Sequence, residues 1–311
     1  MIEPIMRSAL QIAELPPSRP VYVEIPTDLL AADSADAEAE TSDYEWHAGL
    51  DAADLGPALE LLTEAERPLI WAGGGALRSG AAKAVGELAT RLPAPVITTY
   101  QAAGLLGREH PCDVGLPPFV PEAGALWDEA DLVVAIGSDL DGTSTQNWAQ
   151  PRPPRMLAIN VDADDASKNY TPDLVLVGDA RVVCEALVER LPDRAGGAAL
   201  ASELERVREQ AWVRLDEEEP DAVEFLRSVA RALPDEAVIV CDMCIPGYWL
   251  GGFYRPPAPR RLLYPLGWGT LGCAFPQALG AALAGAGPTV SASIPNVFAS
   301  ASKSGVTRST P

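Results

Sequence analysis

Histidine is almost missing from this chain: His47 and His110 are the only two in 311 residues. A histidine-rich metal site or a Ser-His-Asp triad therefore has little to draw on. Cysteine is sparse and odd in number, with Cys112, Cys184, Cys241, Cys244 and Cys273 scattered along the chain. That spacing argues against a disulfide framework. Basic residues are few, 23 against 44 acidic ones, and the formal net charge of -21 argues against nucleic acid and anionic membrane surfaces as partners. No apolar run reaches the roughly 18 residues that a membrane-spanning helix needs. The opening Met1–Leu10 places Glu3 and Pro4 where a signal peptide requires an apolar core. These absences lead us to expect a cytoplasmic protein.

What is present is a globular composition, 48% hydrophobic, in a chain long enough for more than one core. Residues 4–14 read as a short amphipathic helix and Pro20-Val-Tyr-Val-Glu-Ile25 as a strand. One helix and one strand build no core, so residues 1–30 read as the end of a domain. An acidic, alanine-rich linker follows over 31–48, too polar to pack. Residues 49–192 form a regular alternation, with apolar strands at 68–72, 95–98, 131–136, 156–160 and 174–177. Helices are expected at 52–65, 79–91, 121–129 and 180–191. Continuous apolar runs between helices predict a parallel sheet covered on both faces.

A connector over 193–220 carries Leu200, Leu204, Val207, Ala211 and Leu215 at helical spacing, one buried stripe on a long surface helix. Residues 221–290 then begin another α/β unit: a helix over 221–233, a strand at 237–241, an aromatic loop, a helix over 272–284 and a strand at 288–292. Residues 291–311 hold six serines and no acid at all, and nothing in them is patterned to pack. The fold class is therefore α/β: a complete central doubly wound, Rossmann-like parallel-sheet domain flanked by two incomplete α/β domains, with an unstructured tail.

Four stretches could carry chemistry. Gly73-Gly-Gly75 lies between a strand and a helix, where phosphate binds, but Arg78 stands at the third glycine position of a dinucleotide fingerprint, and a plain tight turn accounts for it. Asp139 and Asp141, in the loop Gly137–Gly142, offer a metal or ribose site or else two solvated carboxylates in a turn. Cys241-Asp-Met-Cys244 has redox or zinc spacing without a second pair. Gly267-Trp-Gly-Thr-Leu-Gly272 opens a small-residue helix, and its glycines either let a ligand approach the backbone or simply shape a loop.

The order of these segments resembles the thiamine diphosphate-dependent enzymes of the acetolactate synthase, benzoylformate decarboxylase and pyruvate decarboxylase type. Pro20–Asp28 is similar to the exit of their pyrimidine-binding domain. Trp71–Gly75, Ala94–Thr99, Ala130–Gly137 and Asn160–Asp164 are similar to their central domain, and Val240–Asp242 with Gly269–Gly272 to the entry of their diphosphate-binding domain. The resemblance implies a lyase or carboligase acting on a small 2-oxo acid, with thiamine diphosphate and Mg²⁺, assembled as a homo-oligomer. It implies cofactor-binding roles for Gly269, Thr270, Leu271 and Gly272: the Gly269 carbonyl accepts from the aminopyrimidine, and Leu271 supports its bend.

Two parts of the family pattern are not met. The relay glutamate belongs to a portion ahead of Met1, and Ser291-Ala-Ser-Ile-Pro-Asn296 stands where a metal-binding Gly-Asp-Gly is expected. No catalytic residue and no metal ligand is therefore assigned, and the chain reads as a fragment inactive alone. Gly137–Gly142 does not match a flavin-binding loop, which argues against FAD. The alternatives are a non-catalytic nucleotide-binding α/β module or a non-functional truncated product.

Overall fold

The computed structural model describes residues 2–31, 55–267, 269–293 and 306–308. The chain divides into two units, Met1–Gly49 and Leu50–Pro311. In the first, α1 (Ile2–Glu14) is amphipathic, with Arg7 paired to Glu3 one turn away, yet none of its side chains is buried. The strand expected at residues 20–25 does not form, and Tyr22 is 84% exposed. The segment has β propensity, but residues 2–31 provide no second strand to take its backbone hydrogen bonds, and an unpaired strand gains nothing in water. The linker expected at 31–48 lies outside the described residues from residue 32 onward.

The second unit opens with α2 (Leu55–Glu64), β1 (Pro68–Ala72), α3 (Gly74–Arg78), α4 (Ala82–Arg91) and β2 (Val96–Thr98). It continues through α5 (Pro121–Asp128), β3 (Leu132–Ile136), β4 (Arg155–Asn160), α6 (Ala163–Ser167), β5 (Leu174–Val177) and α7 (Ala180–Val188). The five strands form one sheet in the order β2-β1-β3-β4-β5, parallel throughout, with Trp71 beside Ala135 and Ala135 beside Ala158. Every residue of β1 and β3 is buried, as expected of strands covered on both faces. Trp71 meets Trp127 edge-on at 5.3 Å, and each indole N–H finds an oxygen, Ser138 Oγ and the Pro151 carbonyl respectively. At the opposite ends of the strands, Asp131 accepts from the Glu66 and Arg67 N–H groups and from Arg155, tying β1, β3 and β4 together.

Because β2 lies on one side of β1 and β3 on the other, the strand order reverses between β1 and β3. The loops there are locked together: Gly73 N–H donates to the Ile136 carbonyl and Gly75 N–H to the Gly137 carbonyl, both at 2.8 Å.

The long helix α8 (Gly197–Glu218) buries Leu200, Leu204, Ala211 and Leu215, with Val207 partly covered, as its spacing predicts. Arg214 holds Glu122 on α5 with two hydrogen bonds. Then come α9 (Pro220–Ala232), β6 (Val238–Cys241), α10 (Ile245–Phe253), β7 (Leu262–Leu263), α11 (Ala274–Leu283), β8 (Thr289–Ala292) and β9 (Val306–Arg308). The second sheet runs β7-β6-β8-β9, with only the last pair antiparallel.

Two expectations change here. The aromatic stretch after Asp242 is a helix, α10, rather than a loop. Of the tail expected to be unstructured over 291–311, Ser291 and Ala292 are buried in β8, and Val306–Arg308 pair with that strand. The open edge of β8 supplies the backbone partners that make a strand of three such residues. The remainder, 294–305 and 309–311, lies outside the described residues.

Candidate functional site

The second sheet is carried on the central one by a loop-in-loop joint. Arg255–Ala258 sits against Gly104, Gly107 and Gly115, all at positive φ, where an added Cβ would strike Pro256, the Pro257 carbonyl and Arg255 respectively. Arg255 pairs with Asp113 at 2.9 Å and donates to the Arg108 carbonyl, while Arg208 from α8 donates to the Asp113 carbonyl. Burial pushes the Asp113 carboxyl up, and Arg255 opposes that shift. Tyr100 stacks on Tyr264 at 5.2 Å beside this joint. Between the two sheets remains a narrow cavity of about 40 Å³, lined by Trp71, Thr99, Tyr100, Asp113, Phe119 and Arg255 among others. None of Gly269–Gly272 lines it.

The turn Gly269–Gly272 lies at the C-terminal end of the second sheet. Gly269 has φ +63° and Gly272 φ +80°, a conformation that L side chains avoid. A Cβ on Gly269 would also come within 2.7 Å of Met243 Sδ. Between these glycines Leu271 stands out, 56% exposed rather than in a core, and Phe275, Leu279 and Leu283 continue its apolar face at intervals of four. Trp268 lies outside the described residues. The turn is anchored by Asp242, the residue that follows β6. It is fully buried, and its Oδ1 accepts the Ala274 N–H at 2.8 Å and the Cys273 thiol at 3.4 Å. The sequence places Val240–Asp242 beside Gly269–Gly272 only by family resemblance, and the anchoring bonds leave no local signal because their partners are 31 and 32 residues further on.

The other candidates are held in local structure. The N–H groups of Gly73 and Gly75 are taken by backbone carbonyls, so this loop does not offer them to a phosphate. Asp141 accepts from the N–H groups of Thr143 and Ser144 and from the Ser144 hydroxyl, organising its own turn. Asp139 meets Lys168 at 3.4 Å. Cys241 and Cys244 are free and buried, and burial raises both thiols, which disfavours the thiolate that redox or zinc chemistry requires.

For thiamine diphosphate the fit is divided. The turn presents bare backbone beside an outward leucine, as a ring-binding cradle needs. Among the described residues, however, no group of three or more His, Cys, Asp or Glu side chains could hold a metal ion. No helix among them is long and apolar enough to cross a membrane.

Residues 55–187 match the family model of the thiamine pyrophosphate enzyme central domain. Over 277 residues the chain is 34% identical to a probable 2-ketoarginine decarboxylase of Pseudomonas aeruginosa, covering 85% of this chain and 47% of that protein. It is 27% identical over 309 residues to a probable acetolactate synthase large subunit of Methanocaldococcus jannaschii, covering 89% and 50% of the two chains. With the acetolactate synthase isozyme 3 large subunit of Escherichia coli the identity is 26% over 307 residues, covering 91% and 52%. The chain thus spans about half the length of the curated relatives it matches. Its parallel central sheet and these matches together place the chain in the thiamine pyrophosphate-dependent enzyme family.

Proposed function

We propose that this chain carries the central domain and part of the diphosphate-binding domain of a thiamine diphosphate-dependent lyase or carboligase acting on 2-oxo acids, and that these 311 residues alone do not turn substrate over. The observation that carries the reading is Leu271, held outward between two left-handed glycines on a turn anchored to the end of β6. When bound, thiamine diphosphate supplies a nucleophilic ring carbon and an electron sink for cleaving the bond beside a 2-oxo acid carboxylate. The Gly269 carbonyl would accept from its aminopyrimidine, Leu271 would support the bend between its rings, and Thr270 and Gly272 would complete the turn. The family partner Mg²⁺ has no ligand set among the described residues, and no step is assigned to it.

The names of the relatives, a probable 2-ketoarginine decarboxylase and two acetolactate synthase large subunits, one of them probable, support this substrate class. We place the chain in the flavin-free branch of the family, in a cytoplasmic homo-oligomer. Free cysteines and a net charge of -21 suit that setting. A thermal-shift titration with thiamine diphosphate and Mg²⁺ tests whether the chain alone retains the cofactor: no saturable stabilisation is expected below about 1 mM, and a response in the micromolar range would overturn the reading.

A further inference from the structure

We propose that Asp242 is a positioning residue whose buried carboxylate holds the start of α11 and thereby fixes how Leu271 is presented. This rests on reading Gly269–Gly272 as the face turned to cofactor. A carboxylate with no exposed surface is costly unless donors meet it, and here the Ala274 N–H donates at 2.8 Å, with the Cys273 thiol at 3.4 Å sharing its one proton between this carboxylate and the Thr270 carbonyl at 3.3 Å. The first N–H groups of α11 lack partners within the helix, and the Cys273 side chain does not cap it. The cap is supplied instead from the end of β6, where negative charge suits the positive end of the helix.

Asp242 is itself fixed on every side. Its N–H donates to the Ala292 carbonyl at the end of β8, and its carbonyl accepts the Cys244 N–H, both at 2.8 Å. The same carbonyl packs against Gly247, where any Cβ would collide with it. Leu271 is separated from this anchor only by Gly272 and Cys273. With a left-handed glycine on either side of Leu271, the local backbone has wide freedom, and the carboxylate restrains it.

The test is iodoacetamide labelling of the full chain across pH, read by peptide mass mapping, in wild type, Asp242→Asn and Asp242→Ala. Burial first, then the hydrogen bond to Asp242 and its charge, push the Cys273 thiol up. Removing the charge in Asp242→Asn should shift the Cys273 labelling profile to lower pH and raise its rate at pH 7.5 about threefold or more. Asp242→Ala, which also loses the acceptor for Ala274, should label faster still. The fully buried Cys184 serves as internal standard and should stay protected in all three. Superimposable Cys273 profiles in wild type and both variants would overturn the proposal. So would Cys184 labelling in step with Cys273, because the carboxylate would then maintain the whole fold rather than the turn. The experiment contains no cofactor, so its failure leaves the cofactor reading standing, and failure of that reading leaves the labelling result unchanged.

Discussion

Gly137→Ala should be among the most damaging small substitutions in this chain. Gly137 has φ +59°, and an added Cβ would come within 2.7 Å of Gly75 Cα and press on the Ala76 nitrogen. Those are backbone atoms, which no rotamer change can move aside. Left-handed backbone costs an alanine about 1 kcal/mol. Forcing the loops apart removes the bonds Gly73 N–H to Ile136 and Gly75 N–H to Gly137, each contributing about 1 kcal/mol. The expected loss is therefore roughly 3 kcal/mol. Gly80→Ala is the matched control, because Gly80 has φ +70° and nothing within 4 Å of its added Cβ. It should show the strain alone, about 1 kcal/mol. Urea unfolding followed by circular dichroism measures both, and the gap of about 2 kcal/mol corresponds to roughly 4–8 °C in Tm. If the two variants unfold within about 0.5 kcal/mol of each other, the tight crossing of these loops does not exist and the reasoning fails.

Further outcomes follow from the charged groups. Arg255→Met leaves Asp113 buried without its partner and should cost about 3–5 kcal/mol. With the Asp113 carboxyl raised further above its unfolded value, that deficit should shrink as pH falls and grow as pH rises, and a deficit independent of pH would contradict this. Asp131 behaves in the opposite way. Burial acts against its charge, but the Glu66 and Arg67 N–H groups and Arg155 prevail and hold its carboxyl below the usual range. Its stabilisation is present above about pH 4 and lost as pH falls through the folded value, so Asp131→Asn should flatten acid unfolding there, and an unchanged acid limb would count against it. Burial lowers the His110 imidazole, so stability should fall as pH drops below about 6.5, and His110→Gln should flatten the Tm profile between pH 7 and 5.5. Parallel profiles would refute that assignment.

Much of the central sheet was legible because its signals are local. Leu132–Ile136 is a five-residue apolar run between Asp131 and Gly137, and it is fully buried as such a run should be. The stripe on α8 was readable for the same reason. What escaped depends on distant partners. Helix α10 contains Pro246, Gly247, Gly251 and Gly252, a poor helix by propensity. Its glycines fit the packing instead: a Cβ on Gly251 would lie 3.0 Å from Tyr264 and from Tyr100, the latter 151 residues earlier in the chain. Val21 and Tyr22 carry strand propensity but no strand neighbour, so propensity misled there. The turn at Gly269–Gly272 was visible from its glycines, whereas its anchor at Asp242 was not, since a bond spanning 32 residues leaves no mark on local pattern.

The proposal that Leu271 supports a cofactor ring, with no metal ligand set among the described residues, is tested most directly by saturation-transfer NMR on the chain with thiamine, with thiamine diphosphate, and with thiamine diphosphate plus Mg²⁺. Equal, weak contact of the aminopyrimidine ring in all three is expected, with an affinity of about 1 mM and a loss of signal in Leu271→Asp. Binding that tightens to micromolar with diphosphate and Mg²⁺, or contact that survives in Leu271→Asp, would contradict it.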